Sequence, residues 1–338
     1  MSFKINNRRY TGSKTKLVPW IKEVIEENCL DCKSFCDIFA GTGVVTYGLI
    51  DNFDEFIIND FLYSNEVIYE GFFGKGNYDK EKINRISKRY NNIDLNTVEP
   101  DFVTKNYGGK YFSNEDALKI DYIRNDIEKK KNKINKKEYN ILLASLIYSF
   151  DRCANTVGHY DAYIKSKTVR SSFTFELIEP ILESTDTQVV KIYREDANEL
   201  AKRIYADVVY IDPPYSSRQY SRFYHVIEII TKWDKPQLFG AALKPEAENV
   251  SEYSKSRALD FFQDLISSLD TKYIVVSYNN TYNSKSKSSK NKMTLEDIKE
   301  TLSKKGETKM YFKNHKAFNA GKTEFNNHKE LLFVTKVK

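Results

Sequence analysis

Four consecutive residues, Asp212-Pro213-Pro214-Tyr215, follow the apolar run Val208-Val209-Tyr210-Ile211. The run reads as a buried, parallel-type strand, and ligand sites in open α/β sheets lie beyond the carboxyl ends of such strands. The two prolines stiffen the backbone and remove two N–H donors, leaving the neighbouring carbonyls as acceptors. An amine conjugated to a planar ring must pyramidalise before it can attack a methyl group. Asp212 and a proline carbonyl, each accepting one N–H, would hold it in that shape, and the carboxylate favours the developing positive charge. Tyr215 offers a flat surface for a base taken out of its stack. A single Asp-Pro turn would be structural; this run at a strand end reads as machinery for N-methylation of a planar amine.

A second constellation is Asp37-Ile38-Phe39-Ala40-Gly41-Thr42-Gly43. It places two glycines at a strand-to-helix turn, where backbone N–H groups approach a ligand closely. A dinucleotide fingerprint is the rival reading, but Thr46 stands where its third glycine would be. Asp37 would repel a pyrophosphate and attract the ammonium of an amino-acid-like ligand, which favours S-adenosylmethionine. Asp60, after the next expected strand, is placed to accept hydrogen bonds from ribose hydroxyls. Upstream, Arg8-Arg9-Tyr10-Thr11-Gly12-Ser13-Lys14 is either an ordinary basic arm or a lid. As a lid, Tyr10 would pack on the ligand and Lys14 would pair with its carboxylate.

The elements that must position these groups follow from periodicity. Helices are expected over 16–28, 44–52, 139–150, 224–233, 257–269 and 294–305, and strands over 34–39, 55–59, 188–193, 207–211, 273–278 and 331–335. Between residues 61 and 187 the alternation stops and the chain turns mainly helical. Neither flanking part has enough strands for a sheet of its own. The expectation is therefore one α/β domain, 1–60 with 188–338, carrying an insert over 61–187. Nothing approaches the roughly 18–20 apolar residues of a membrane span, and residues 1–9 are too polar for a signal peptide, so the cytoplasm is expected. The spacing of Cys29, Cys32 and Cys36 invites a metal reading. Cys36 falls in an apolar strand and no second ligand pair follows, so no metal is expected.

The series Arg9-Tyr10-x-Gly12-Ser13-Lys14, the Asp37–Gly43 turn, Asp60 and Asp212–Tyr215, in this order, resembles the D12 (α-group) DNA adenine-N6 methyltransferases. The continuation Ser216-Ser217-Arg218-Gln219-Tyr220-x-x-x-Tyr224-His225-Val226-x-Glu228 resembles the restriction–modification branch. The resemblance implies a Rossmann-like, S-adenosylmethionine-dependent methyltransferase sheet with an inserted target-recognition region. It gives Tyr10, Lys14, Asp37, Phe39, Ala40, Gly41, Thr42, Gly43 and Asp60 cofactor roles, and makes Asp212, Pro213, Pro214 and Tyr215 catalytic. Asp196 would bond the cofactor adenine, with Ala197 where an aromatic often stands.

Double-stranded DNA is the implied partner, with a cognate restriction endonuclease acting on the same sequence without a stable complex. Arg152, Asn155, His159 and Tyr160 would reach bases or the displaced strand; equally, their loop would only pack the insert. Arg218, Gln219 and Tyr220 would shape the base pocket or touch phosphates. His225 reads as a packing residue, because the amine need not lose a proton before attack. The net charge of +6 informs only where it clusters, at 129–137 and in the loop 283–292 with Lys285, Lys287 and Lys290. Cytosine N4, an RNA base and a protein amide are the alternative methyl acceptors, since related turns serve them all.

Overall fold

The computed structural model describes residues 2–165, 168–214, 216–280, 292–314 and 328–338. Seven strands form one sheet: β1 (Ser34–Asp37), β2 (Glu55–Asn59), β3 (Val189–Tyr193), β4 (Val208–Ile211), β5 (Tyr273–Asn279), β6 (Gly306–Asn314) and β7 (Lys329–Val337). Their order is β3-β2-β1-β4-β5-β7-β6. β1 to β5 run parallel, while β7 pairs antiparallel with β5, and β6 with β7. The chain winds from β1 outward to β3, then from β4 outward in the other direction. The carboxyl ends of β1 and β4 therefore lie side by side at the switch point, where open sheets bind ligands.

The two faces of the sheet differ because side chains alternate along each strand. Cys36, Ile38, Val209, Ile211, Ile274, Val276, Leu331 and Phe333 join one core cluster with residues of the helices Ala197–Ala201, Ala258–Ser268 and Leu295–Ser303. The register Asp37↔Tyr210↔Val275↔Val334 runs along the opposite face. That face is apolar at Phe35 and Val208 and turns polar toward the carboxyl edge.

The chain divides into two compact units. The sheet unit comprises Gly12–Phe61, Thr187–Tyr220 and Asn249–Lys338; the other comprises Met1–Thr11, Leu62–Asp186 and Ser221–Glu248. Sequence boundaries at 60 and 188 thus assign 1–11 and 221–248 differently from the packing. Short segments separated in sequence carry no local sign of which core they join.

In the helical unit the helix Tyr63–Phe72 packs on Lys136–Cys153. Leu62 gives the first of these no side-chain cap. Glu228 supplies it, its two carboxylate oxygens accepting from Tyr63 N and Ser64 N at 2.9 Å each. At the other end the buried Lys137 ammonium donates to the carbonyls of Gly71 and Gly74. Opposite charges from other helices thus satisfy both ends of one macrodipole. The basic run 129–137 is largely absorbed in this way: Lys130 pairs with Asp126, Lys131 with Glu128 and Lys136 with Glu70.

One strand escaped the sequence reading. β6 is an edge strand, mostly exposed, and GETKMYFKN shows neither an apolar run nor a clean alternation. Lys309 and Lys313 blunt its open edge. β2 to β5 hold within one residue, while β1 ends at Asp37, two residues short of 34–39, and β7 extends two residues past 331–335 at both ends. Among the described residues no helix is long and apolar enough to cross a membrane.

Glu228→Ala should destabilise the protein by about 1–3 kcal/mol, since it strips two helix-end N–H groups of their acceptor. Urea denaturation measures this; an unchanged midpoint would show that the cap carries no stability.

Candidate active site

The site is built at the carboxyl ends of β1, β2 and β4 in the sheet unit. After β1 the chain turns through Ala40–Gly43, with Gly43 N donating to Ala40 O at 2.8 Å and Ala40 N to Asn59 O at 2.9 Å. Gly41 and Gly43 have φ of 53° and 73°, a region that residues with a Cβ avoid. Asp60 accepts from Gly41 N at 3.0 Å, so this acid braces the glycine turn. Asn59 was not singled out from sequence. Its amide nitrogen donates to the carbonyls of Ile38 and Glu195, and its oxygen accepts from Glu195 N, clamping the ends of β1, β2 and β3. An amide at a strand's carboxyl end, next to the singled-out Asp60, was the available signal.

Asp37 is buried, and Thr46 Oγ1 donates to its Oδ2 at 3.0 Å. Its Oδ1 is buried with no hydrogen-bond partner among the described residues. Burial pushes its carboxyl up to about 7; the Thr46 bond opposes this, and the charges of Asp212 and Asp60 add to it. Thr42 and Ala40 are buried in the turn, and Phe39 sets its ring edge-on to Tyr253, 5.1 Å between centroids. Asp196 spends Oδ1 on the N–H groups of Asn198 and Glu199, capping Ala197–Ala201, while Ala197 packs in the core cluster.

Asp212 follows β4 directly, with 17 % of its side chain exposed. Lys14 Nζ lies 2.9 Å from Asp212 Oδ2, and the lysine is buried. Lys14 was expected on a ligand carboxylate; in the structure its ammonium pairs with the catalytic candidate, as a buried ammonium needs a nearby anion. Its carbonyl accepts from Leu17 N and Val18 N, so the start of the helix Val18–Asn28 fixes the pair in place. Among the described residues Asp212 Oδ1 has no partner that satisfies hydrogen-bond geometry, with the Ser277 hydroxyl close by. Burial raises the Asp212 carboxyl to about 6; Lys14 and Ser277 pull it down, and the Glu330 carboxylate pushes it up. Pro213 is buried beside it. Tyr215 lies outside the described residues, as do Lys285, Lys287 and Lys290.

After the turn, Gln219 exchanges two hydrogen bonds with Ser251 and the Arg218 carbonyl accepts from Ser254 Oγ. The Gln219 amide is committed to holding its own loop. A Cβ on Gly12, whose φ is +82°, would come within 3.2 Å of the Tyr220 hydroxyl.

Within the helical unit Tyr10 stacks on Tyr224, 4.7 Å between rings, beneath the buried Arg8 guanidinium. The Arg9 side chain donates to the carbonyls of Asp151 and Ala154, at the end of Lys136–Cys153. Asn155 is buried and donates to the carbonyls of Lys110 and Ile164; Tyr160 is buried and donates to Asp151. For these two the enclosed polar atoms fit the packing alternative. Arg152 pairs with Glu176 at 3.0 Å, and His159 stacks on Phe223. His225 has both ring nitrogens near carbonyls, of Arg222 and Ala242, and burial lowers its pKa to about 4. Cys36 is buried in β1, where burial holds its thiol well above the usual range.

A glycine turn after β1, an acid after β2 and Asp-Pro-Pro after β4, on a parallel sheet closed by an antiparallel strand, define a Rossmann-like methyltransferase. The family model for D12 class N6 adenine-specific DNA methyltransferases matches residues 10–293, and the chain belongs to that family. It shares 36 % identity with the modification methylase LlaI of Lactococcus lactis subsp. lactis, over 80 % of this chain and 46 % of that protein. It shares 31 % with the Type II methyltransferase M.NlaIII of Neisseria lactamica, over 95 % of each chain. With M.CviAII of Paramecium bursaria Chlorella virus 1 it shares 32 %, over 98 % of this chain and 99 % of the other. The chain thus spans about half the length of the first relative and nearly all of the other two.

Asp37 carries a sign that can be checked. A carboxyl raised by folding contributes stability that is present below pH 4 and lost as pH rises through about 7. Asp37→Asn should therefore raise stability at pH 8 by roughly 3–4 kcal/mol and leave it nearly unchanged at pH 4. Chemical denaturation at both pH values tests this; equal gains would contradict the assignment.

Proposed function

We propose that this chain transfers a methyl group from S-adenosylmethionine to the N6 amine of adenine in one short sequence of duplex DNA, as the modification enzyme of a restriction–modification system. The observation that carries the reading is the pair of acids at the switch point, the buried Asp37 and the partly exposed Asp212, each with an oxygen lacking a hydrogen-bonded partner among the described residues. Asp37 Oδ1 fits the ammonium of the donor's methionine part, since a cation is what a buried carboxylate lacks there. The backbone of the Gly41–Gly43 turn approaches the donor, Asp60 takes the ribose hydroxyls, and Asp196 faces the donor's adenine. When bound, the donor supplies an electrophilic methyl carbon on a sulfonium, and the leaving sulfur keeps the bonding pair.

An adenine inside a duplex cannot present its amine to Asp212, so the base must first leave the stack. Asp212 and a proline carbonyl of Pro213-Pro214 accept its two N–H groups, and Tyr215 stacks on the ring. Lys14 holds Asp212 in one orientation, so the acceptor is in place before the base arrives. We assign target recognition to the helical unit, with 1–11 and 221–248 belonging to it as well as 62–186. Arg152, His159, Arg218 and Tyr220 remain DNA-contact residues in this reading, and the basic loop 283–292 adds phosphate contacts. A cognate endonuclease cleaves the same sequence when it is unmethylated, and both act in the cytoplasm.

Incubating the protein with labelled donor and duplex DNA should yield N6-methyladenine on nucleoside chromatography, at one sequence on single-molecule sequencing. Label in another nucleoside, or none, would overturn the reading. Asp212→Ala should lower turnover about a thousandfold while retaining donor binding. Because the ammonium must displace a proton from Asp37, donor affinity should weaken about tenfold per pH unit below about 7. Calorimetric titrations should show this slope in the native chain and lose it in Asp37→Asn.

A further inference from the structure

Glu330 sits near the start of β7, opposite Asn279 of β5. The register places it on the polar face. Ile211 pairs with Val276, so Ser277 is level with Asp212; Leu332 pairs with Ser277, and Glu330 lies one side-chain step nearer the carboxyl edge. Alternation puts Tyr210, Ser277, Asn279, Leu332 and Glu330 on the same side as Asp37. Glu330 is buried, and its Oε1 lies 3.1 Å from His328 Nε2. Two strand spacings, roughly 10 Å between backbones, separate it from Asp212, and both side chains rise from the same face. No residue of β7 entered the sequence reading of the site.

We propose that Glu330 is a positioning residue for methyl transfer, a second carboxylate that balances Lys14 across Asp212 and keeps Asp212 able to take up the proton the amine must lose. The inference rests on the reading that Asp212 holds the adenine amine. The amine's lone pair forms the bond from nitrogen to the methyl carbon as the bond from that carbon to the donor's sulfur breaks, the pair staying on sulfur. The nitrogen then carries one proton too many; Asp212 accepts it, becomes neutral, and gives it to water once the product leaves. A carboxylate facing only Lys14 would be a poor acceptor for that proton. Glu330 opposes this effect of Lys14 on the Asp212 carboxyl, in a field that also contains Asp37, Asp60, Tyr210 and His328.

The test uses the full chain with aspartate labelled at the side-chain carboxyl carbon, the Asp212 resonance being identified by its loss in Asp212→Asn. Glu330→Gln should lower the Asp212 titration from about 6, burial still holding it above the ordinary carboxylate range. It should also lower the single-turnover rate at pH 7.5 about tenfold, with donor affinity within about twofold of the native chain. Glu330→Asp, which keeps the charge, should restore the titration and most of the rate, and carries the test if Glu330→Gln does not fold. An Asp212 titration unmoved in Glu330→Gln would overturn this inference alone. Full turnover in Asp212→Ala would instead overturn the reading beneath it.

Discussion

Lys14 and Asp212 face one another at 2.9 Å on a sheet face where ionisable groups are packed closely and kept largely from water. Taking such charges out of water is costly unless each meets an opposite charge or enough hydrogen-bond donors. Among the described residues Lys14 pairs with Asp212 in a neighbourhood that also contains Asp37, Asp60 and Glu330, and burial drives the Asp37 and Asp212 carboxyls upward. Much of the surrounding architecture bears on this imbalance. The helix Val18–Asn28 anchors Lys14, the Asn59 clamp holds three strand ends together, and Asp60 braces the glycine turn.

The same imbalance connects stability to chemistry. A folded chain gains nothing by burying a carboxylate oxygen without a donor, as Asp37 does. Such an oxygen is useful when a ligand supplies the missing cation, and the strain is then released on binding. In the proposed function Asp212 stands in the same relation to the adenine amine. The family assignment and the geometry meet at this point: adenine N6 methylation needs an acceptor that is fixed, partly reachable and basic enough to take a proton, and Asp212 has the first two properties in the structure.

Helix ends in the other unit follow a related rule with different residues. Glu228 and Lys137 satisfy opposite ends of Tyr63–Phe72, and His225, Asn155 and Tyr160 spend their polar atoms inside the fold. In sequence, Glu228 and His225 both fall in the continuation that resembles the restriction–modification branch, with His225 read as a packing residue. The structure makes them supports, because a buried polar side chain is bound to satisfy its own hydrogen bonds first.

The sequence by itself determined the sheet class, the glycine turn, Asp60, the Asp-Pro-Pro turn and the family, because strand periodicity and short rigid motifs are local properties. It also located β2 to β5 within one residue at their carboxyl ends, and β1 and β7 within two. Only the tertiary structure decided that Lys14 belongs to Asp212, that Glu330 shares its face, that β6 completes the sheet edge, and that 1–11 and 221–248 pack with the helices. Those facts depend on register between strands distant in sequence and on which charges are buried together. Local composition carries no record of either, since burial and register arise only when distant segments pair.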